Sequence, residues 1–316
     1  MQTASALPKV PQALLKPEGG WNTNVWMFLF ACLLFPLVHI SFLFFGGPGW
    51  LTFIGTFVAL HLLGTVIHDA SHNSAHKNRI INATMGHVSA LMMGFVFPVF
   101  TRVHLEHHRH VNDPENDPDH VVSTFGPLWL IAPRFFYHEV YFFQRRLWRK
   151  NELLEWFVSR LIFGSIVWAS LQYDFFSYIM TYWFLPAGLV GFLLGLFFDY
   201  FPHRPFHQRD RWKNARVYAS PILNLLIGGQ NYHLVHHIWP TIPWYHYQPA
   251  YRIVKPLLEA KGSPLRLGIL ESPKDFGNFV YDCVLGIRPH FPKPANASDE
   301  SPDLPSSATA LTPKAR

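Results

Sequence analysis

Of 316 residues, 49% are hydrophobic and only 15% charged, and the apolar residues gather in blocks of about twenty, the length that crosses a bilayer's hydrocarbon core. The formal charge of +6 does not point to nucleic acid, because Lys and Arg lie between apolar blocks and beside aromatic rings, as in RRLWRK (residues 145–150), a pattern of headgroup anchoring. Two cysteines, Cys32 in an apolar block and Cys283 in the polar C-terminal region, exclude a disulfide framework and favour a reducing compartment.

Residues 1–20 form a polar lead-in, with no apolar core and cleavage site of the kind a removable signal peptide carries. Span one is expected over residues 25–45, and GGPG (46–49) turns the chain into span two at 50–67. A long mixed segment, 68–155, follows. Its apolar stretch SALMMGFVFPVF (89–100) is too short to cross and is interrupted by Pro98, so it is expected at the interface or against the spans. Residues 156–172 give span three, Asp174 marks a turn, and 175–198 give span four. Beyond it the chain is polar, with one apolar patch at 218–227 that ends in Gly228 and Gly229. The last segment, 291–316, is rich in Pro, Ser and Ala and cannot bury enough surface to fold; its sequon at Asn296 is read as chance. The expectation is an all-α, multispan membrane protein: about four transmembrane helices in two hairpins, with residues 21–290 forming one domain. Of the 26 Lys and Arg, all but Arg160 lie outside the four spans and their short turns, which places both termini and the middle segment on the cytoplasmic side.

The 19 histidines cluster at the ends of spans two and four and in the polar segments. HDASH supplies His68 and His72 and, extended, His76; HLEHH supplies His104, His107 and His108; DYFPHRPFH supplies His203 and His207; NYHLVHH supplies His233, His236 and His237. On a helix, residues i, i+3 and i+4 share a face with Cβ atoms about 5–6 Å apart, so each group can grip one ion. His76 is open between ligand and hydrogen-bond partner. Pro205 interrupts any helix from His203 to His207, so His203 has the stronger claim. His39 and His61 read as buried structural histidines; His87, His120, His138, His246 and His290 get the same reading, and His110 is placed in solvent or behind the ligands.

Nine imidazoles are too many for a structural or catalytic zinc. They suit two ions with four or five imidazoles each, and imidazole accepts iron, copper and zinc alike; two irons make sense as oxygen chemistry. Glu-x-x-His, the signature of carboxylate-bridged bundles, is absent from these groups. Asp69, Glu106 and the run 112–120 are expected to hold the outer ring N–H groups, with a solvated loop as the alternative for Asp113 to Asp119. Asp199, at the end of an apolar span where a bare carboxylate is costly, is a candidate outer ligand or holder of a metal-bound water.

These boxes around two hairpins resemble the integral-membrane fatty-acid desaturase and hydroxylase superfamily, over roughly residues 25–255. More narrowly, GTVIHDASHNSAH, FVFPVFTRVHLEHH, NDPENDPDH and FDYFPHRPFH are similar to the carotenoid β-ring hydroxylases. The resemblance implies a cytoplasmic histidine-rich di-iron cap, ligation by His68, His72, His104, His107, His108, His203, His233, His236 and His237, and use of dioxygen. It also implies two electrons per hydroxyl from a ferredoxin-like donor, and hydroxylation of a carotenoid at ring carbon 3. The break in PHRPFH leaves His207 open. No flavin or nicotinamide fingerprint appears, so the electrons come from a separate protein, for which the basic run 145–150 is a candidate dock, with headgroup contact as the alternative. The same boxes suit a carotenoid ketolase or an acyl-lipid desaturase. A metal transporter would instead line a path at the bilayer midplane with its ligands.

Overall fold

A computed structural model describes residues 8–286; His290 and the tail with its sequon lie outside them. Among the described residues there are helices and no strands, and four helices are long and apolar enough to cross a membrane.

The first hairpin joins α1 (Thr23–Phe45) to α2 (Gly49–Ser71). Asn22 starts α1 by accepting the Val25 N–H at 3.0 Å, and Gly46, at φ 68°, ends it in the left-handed conformation that glycine adopts without penalty. The two helices approach closely because Gly55 has no side chain: a Cβ there would stand 2.6 Å from Val38 Cγ1. The second hairpin is α8 (Lys150–Gln172) and α9 (Phe176–His203), turned at Asp174 with φ 57°. Within their most apolar stretches α2 is 56% buried and α1 and α8 only 11%, so α2 is the central helix and the other two face lipid.

Two spans run further than their hydropathy suggested. The apolar run of span two stops at residue 67 and that of span four at 198, yet α2 continues to Ser71 and α9 to His203. The polar last turns are covered by protein rather than water, so the helix outlasts the apolar pattern, and His68 and His203 both sit on helices.

Stretch 89–100 does not cross. It is divided between α3 (Arg79–Met93) and α4 (Phe97–His110), which meet at 101° after Gly94, at φ 85°. The corner is tight because a Cβ on Gly86 would fall 2.3 Å from the Phe97 ring. Met85, Ala90, Met93 and Phe97 pack on Leu60, Leu63 and Ile67 of α2 in one buried cluster.

Short helices α5 (Pro118–Thr124), α6 (Ile131–Arg134) and α7 (Tyr137–Gln144) lead from α4 to α8. After α9 come α10 (Pro221–Leu226), α11 (His233–Ile238), α12 (Tyr247–Ala260) and α13 (Pro273–Leu285). The apolar face of α12, with Tyr247, Val254 and Leu258, holds Leu234 and Val235 of α11 against the bundle. From α13, Asp282 accepts from Tyr200 Oη at 2.6 Å and Arg204 Nε at 2.7 Å, tying down the end of α9.

Candidate metal centre

Four helices bring imidazoles to one end of the bundle. His68 lies on the last turn of α2 and His72 caps it; α4 presents His104, His107 and His108; α9 ends on His203; α11 presents His233, His236 and His237. In two groups, His68 with His72, His104 and His236, and His107 with His203, His233 and His237, the candidate ligand atoms lie within 4.8 Å of one another. His108 stands between the groups, its Nε2 at 3.2 Å from His104 Nε2 and 2.9 Å from His236 Nε2, its ring 4.4 Å from that of His237. Helices α4 and α11 serve both groups, whereas α2 serves only the first and α9 only the second.

The inward atoms lack enough protons to satisfy one another. His72, His104, His108 and His236 make a chain of three Nε2 to Nε2 contacts at 2.8, 3.2 and 2.9 Å. An imidazole nitrogen has one N–H or one lone pair, never both, so the three contacts cannot all be hydrogen bonds. His107 Nε2, His203 Nε2 and both nitrogens of His68 are buried with no hydrogen-bond partner. Cations between these nitrogens would satisfy the lone pairs, so this donor set fits metal ions.

Four of the outward atoms, by contrast, are held. His107 Nδ1 donates to Asp117 Oδ1 at 2.8 Å, His203 Nδ1 to the Asn214 carbonyl at 2.9 Å, and His233 Nδ1 to Gln230 Oε1 at 2.6 Å. These three acceptor oxygens fix the tautomer that aims an Nε2 lone pair inward. His236 Nδ1 pairs with Tyr247 Oη at 2.9 Å, which fixes the direction of its ring. Asp117 is positioned by accepting the Asn112 N–H at 2.7 Å and capping α5. Asp119 reaches His107 Nδ1 at 3.5 Å and takes His138 Nε2 at 2.7 Å.

Burial, then crowding by neighbouring imidazoles, holds His72, His104, His108, His233, His236 and His237 well below the usual histidine range, so all six are neutral at neutral pH. Burial also disfavours charge on His107, but Asp117 and Asp119 outweigh it and raise that ring to about 9.

Beside the histidines a cavity of about 490 Å³ opens among α3, α4, α6, α8 and α9, with a wall that includes Leu60, Val99, Phe163, Phe184, Gly188 and Val190. A smaller space of about 40 Å³ touches His68, His104, His107 and His233 and shares Met93, Phe95, Phe100, Phe135 and His138 with the larger one. The two spaces therefore share part of one apolar wall, and the smaller one reaches the imidazoles.

Several expected residues fall elsewhere. His76 donates from Nε2 to the Gly20 carbonyl at 3.2 Å and accepts the Asn78 N–H at 2.8 Å, because α2 has already ended at Ser71 and the i+4 spacing no longer means a shared face. His207, beyond Pro205, is in neither four-histidine group. Asp199 lines the small space, with Oδ2 buried and without a hydrogen-bond partner. Glu106, expected behind the ligands, instead pairs with Arg109 and lies 3.6 Å from His110 on the outer side of α4. Asp69 accepts from Asn24 at 2.8 Å and from the Trp244 N–H at 3.1 Å, anchoring α1 and the segment after α11 at the site. Asp113, on the same loop as Asp117, sits 3.3 Å from Arg209. His138, expected as a satisfied core histidine or pocket lining, is buried against Asp119 and lines both spaces, whereas Gln230 and Tyr247 touch the site's supports and escaped the sequence reading; only Gln230, one turn before His233, carried a spacing that could have revealed it.

A family model described as fatty acid desaturase matches residues 43–268. A beta-carotene ketolase of Paracoccus sp. strain N81106 is 33% identical over 64% of this chain and 75% of its own length. A second beta-carotene ketolase, from Paracoccus sp. strain PC1, is 30% identical over 70% of this chain and 85% of its own. An sn-1 oleoyl-lipid 12-desaturase of Picosynechococcus is 23% identical over 66% of this chain and 68% of its own.

Proposed function

Since the chain belongs to the fatty acid desaturase family, we propose that it is a di-iron oxygenase that hydroxylates carotenoid β-rings at carbon 3, taking β-carotene through cryptoxanthin to zeaxanthin. The observation that carries this reading is an apolar cavity beside nine converging imidazoles. The two ketolase relatives support a carotenoid as substrate, and the strings GTVIHDASHNSAH and FDYFPHRPFH favour carbon 3.

In this reading His68, His72, His104 and His236 hold one iron and His107, His203, His233 and His237 the other, with His108 between them. Asp199, aimed into the small space, is a further candidate ligand, whereas the contacts of His76 leave it no such role. Iron bound there would supply reduction of dioxygen, the overall reaction consuming one C–H bond, one O2, two electrons and two protons to give one hydroxyl and one water. The protein's own residues do the rest. Asp117, Gln230, Tyr247 and the Asn214 carbonyl orient the rings, and the apolar wall, to which α8 and α9 both contribute, excludes water and suits a substrate dissolved in lipid. Electrons come from a ferredoxin-like carrier, and the distribution of Lys and Arg supports a cytoplasmic position for the metal end. Arg145, in the candidate dock, donates to the Glu115 carbonyl at 2.8 Å and keeps a solvent-facing position.

A second reading, oxidation at carbon 4 to a ketone, is favoured by the similarity to the Paracoccus ketolases. Expression in a β-carotene-accumulating host, with chromatography of the pigments, separates the two. Cryptoxanthin and zeaxanthin support hydroxylation, echinenone supports the ketolase, and new acyl double bonds without either would make this a lipid desaturase.

The raised His107 gives the metal site a pH signature. Below about 9 this ring carries a proton that a metal at Nε2 must displace, while the six depressed rings are neutral down past pH 6.5 and compete little. Affinity of the metal-free protein for cobalt(II), a spectroscopic substitute for ferrous iron, should therefore rise between pH 6.5 and 8.5 by roughly tenfold per pH unit. An affinity flat across that window would place His107 outside the metal site.

A further inference from the structure

Arg160 is the one Lys or Arg inside the four expected spans, on the second turn of span three, which is expected over residues 156–172. A cation inside a span is costly and marks function by default, with its partner to be named. The partner is Glu139 of α7, and both side chains line the large cavity, whose wall is otherwise almost wholly apolar.

The hydrogen bonds of the pair are unequal. Both Glu139 oxygens are engaged, Oε1 accepting from Arg160 Nη2 and Oε2 from Trp156 Nε1 at 2.9 Å. The guanidinium has five N–H donors, of which Nη2 serves Glu139 and Nη1 donates to the Gly94 carbonyl at 3.1 Å; Nε has no partner. Each Nη thus keeps one N–H beyond these bonds, while Nε is buried, and the ion pair is already neutral overall. Such a group suits a neutral acceptor, an alcohol or ketone oxygen, and is a poor match for a carboxylate or a cation. The pair lines the large cavity and not the small space that touches the histidines, so it stands back from the metal end.

We propose that Arg160, held by Glu139, is a substrate anchor that donates a hydrogen bond to an oxygen already present on the carotenoid, so that the site prefers oxygenated pigments over the plain hydrocarbon. This rests on the carotenoid reading above. The oxygen arrives in either of two ways: as the hydroxyl left by an earlier turnover of this enzyme, or as a ketone introduced by another oxidase.

The test is pigment binding, followed by quenching of tryptophan fluorescence in the full-length protein reconstituted into lipid nanodiscs. β-Carotene, cryptoxanthin and echinenone are compared, the last two separating hydroxyl from ketone. The wild type is expected to bind at least one oxygenated pigment about tenfold more tightly than β-carotene, as one hydrogen bond to a charged donor allows. In a Glu139→Gln background, which leaves no bare carboxylate, Arg160→Gln keeps an N–H donor and Arg160→Leu does not. The preference should survive in the first double variant and vanish in the second. Equal preference in both variants, retained or lost, would make Arg160 a structural tie between α7 and α8 and overturn the proposal. If the wild type binds all three pigments alike, the anchor fails and the carotenoid reading stands; if it binds none, that reading fails as well.

Discussion

Replacing His236 with alanine is expected to abolish pigment conversion and to remove one of two metal ions. The ring belongs to the first four-imidazole group, its Nε2 also faces His108 Nε2 at 2.9 Å, and its Nδ1 is held by Tyr247. Loss of an outer partner alone costs roughly 10–100-fold in metal affinity or activity, so loss of the inner ring should exceed roughly a hundredfold. Metal analysis of the purified variant, beside chromatography of the pigments, reads both effects. Two ions per chain in the variant, or conversion intact, would end the di-iron assignment. His236 is 0% exposed and surrounded by rings, so a melting curve must accompany the assay to separate loss of ligation from loss of packing. Tyr247→Phe gives the milder comparison, keeping the ring of His236 and removing only its support.

The second large effect concerns the chamber. Gly188 lines it from α9, and a Cβ added there would meet nothing within 4 Å. Gly188→Trp therefore adds an indole at the cavity wall from an unobstructed Cβ position, in contrast to Gly195, where a Cβ would stand 2.7 Å from Ile131. The metal ligands are untouched. Turnover is expected to fall by roughly a hundredfold, the cost of misplacing a substrate by an ångström or so, while metal content and melting temperature hold. Unchanged turnover would show that the pigment reaches the histidines by another route.

How much of this was legible in the sequence depends on how local each signal is. Spacing of three and four along a helix put His104, His107 and His108, and again His233, His236 and His237, into groups before any fold was known, and the structure brings those rings together. The four spans were equally plain, since twenty apolar residues in a row have few other uses. The misreadings share a cause. Glu106 is adjacent to His107 in sequence but about 100° away around the helix, so it faces outward, and His76 keeps the i+4 interval from His72 after the helix that would give it meaning has ended. His138 and Tyr247 reach the site from helices far along the chain, α7 and α12, and no periodicity within either segment announces a contact with α4 or α11. Asp117 and Asp113, on one loop, could not be told apart until the fold buried the first against His107 and left the second with Arg209.

Because α4 and α11 each feed both histidine groups, displacing either helix disturbs both halves of the centre, although loss of a single ring from it strikes one half. A distortion of α11, six residues long and clamped by α12, shifts His236 and His233 together, whereas damage at the end of α2 or α9 touches one half only. Misplacement of an inner helix should thus cost both sites at once, while lesions at the ends of the membrane spans should leave a half-built centre.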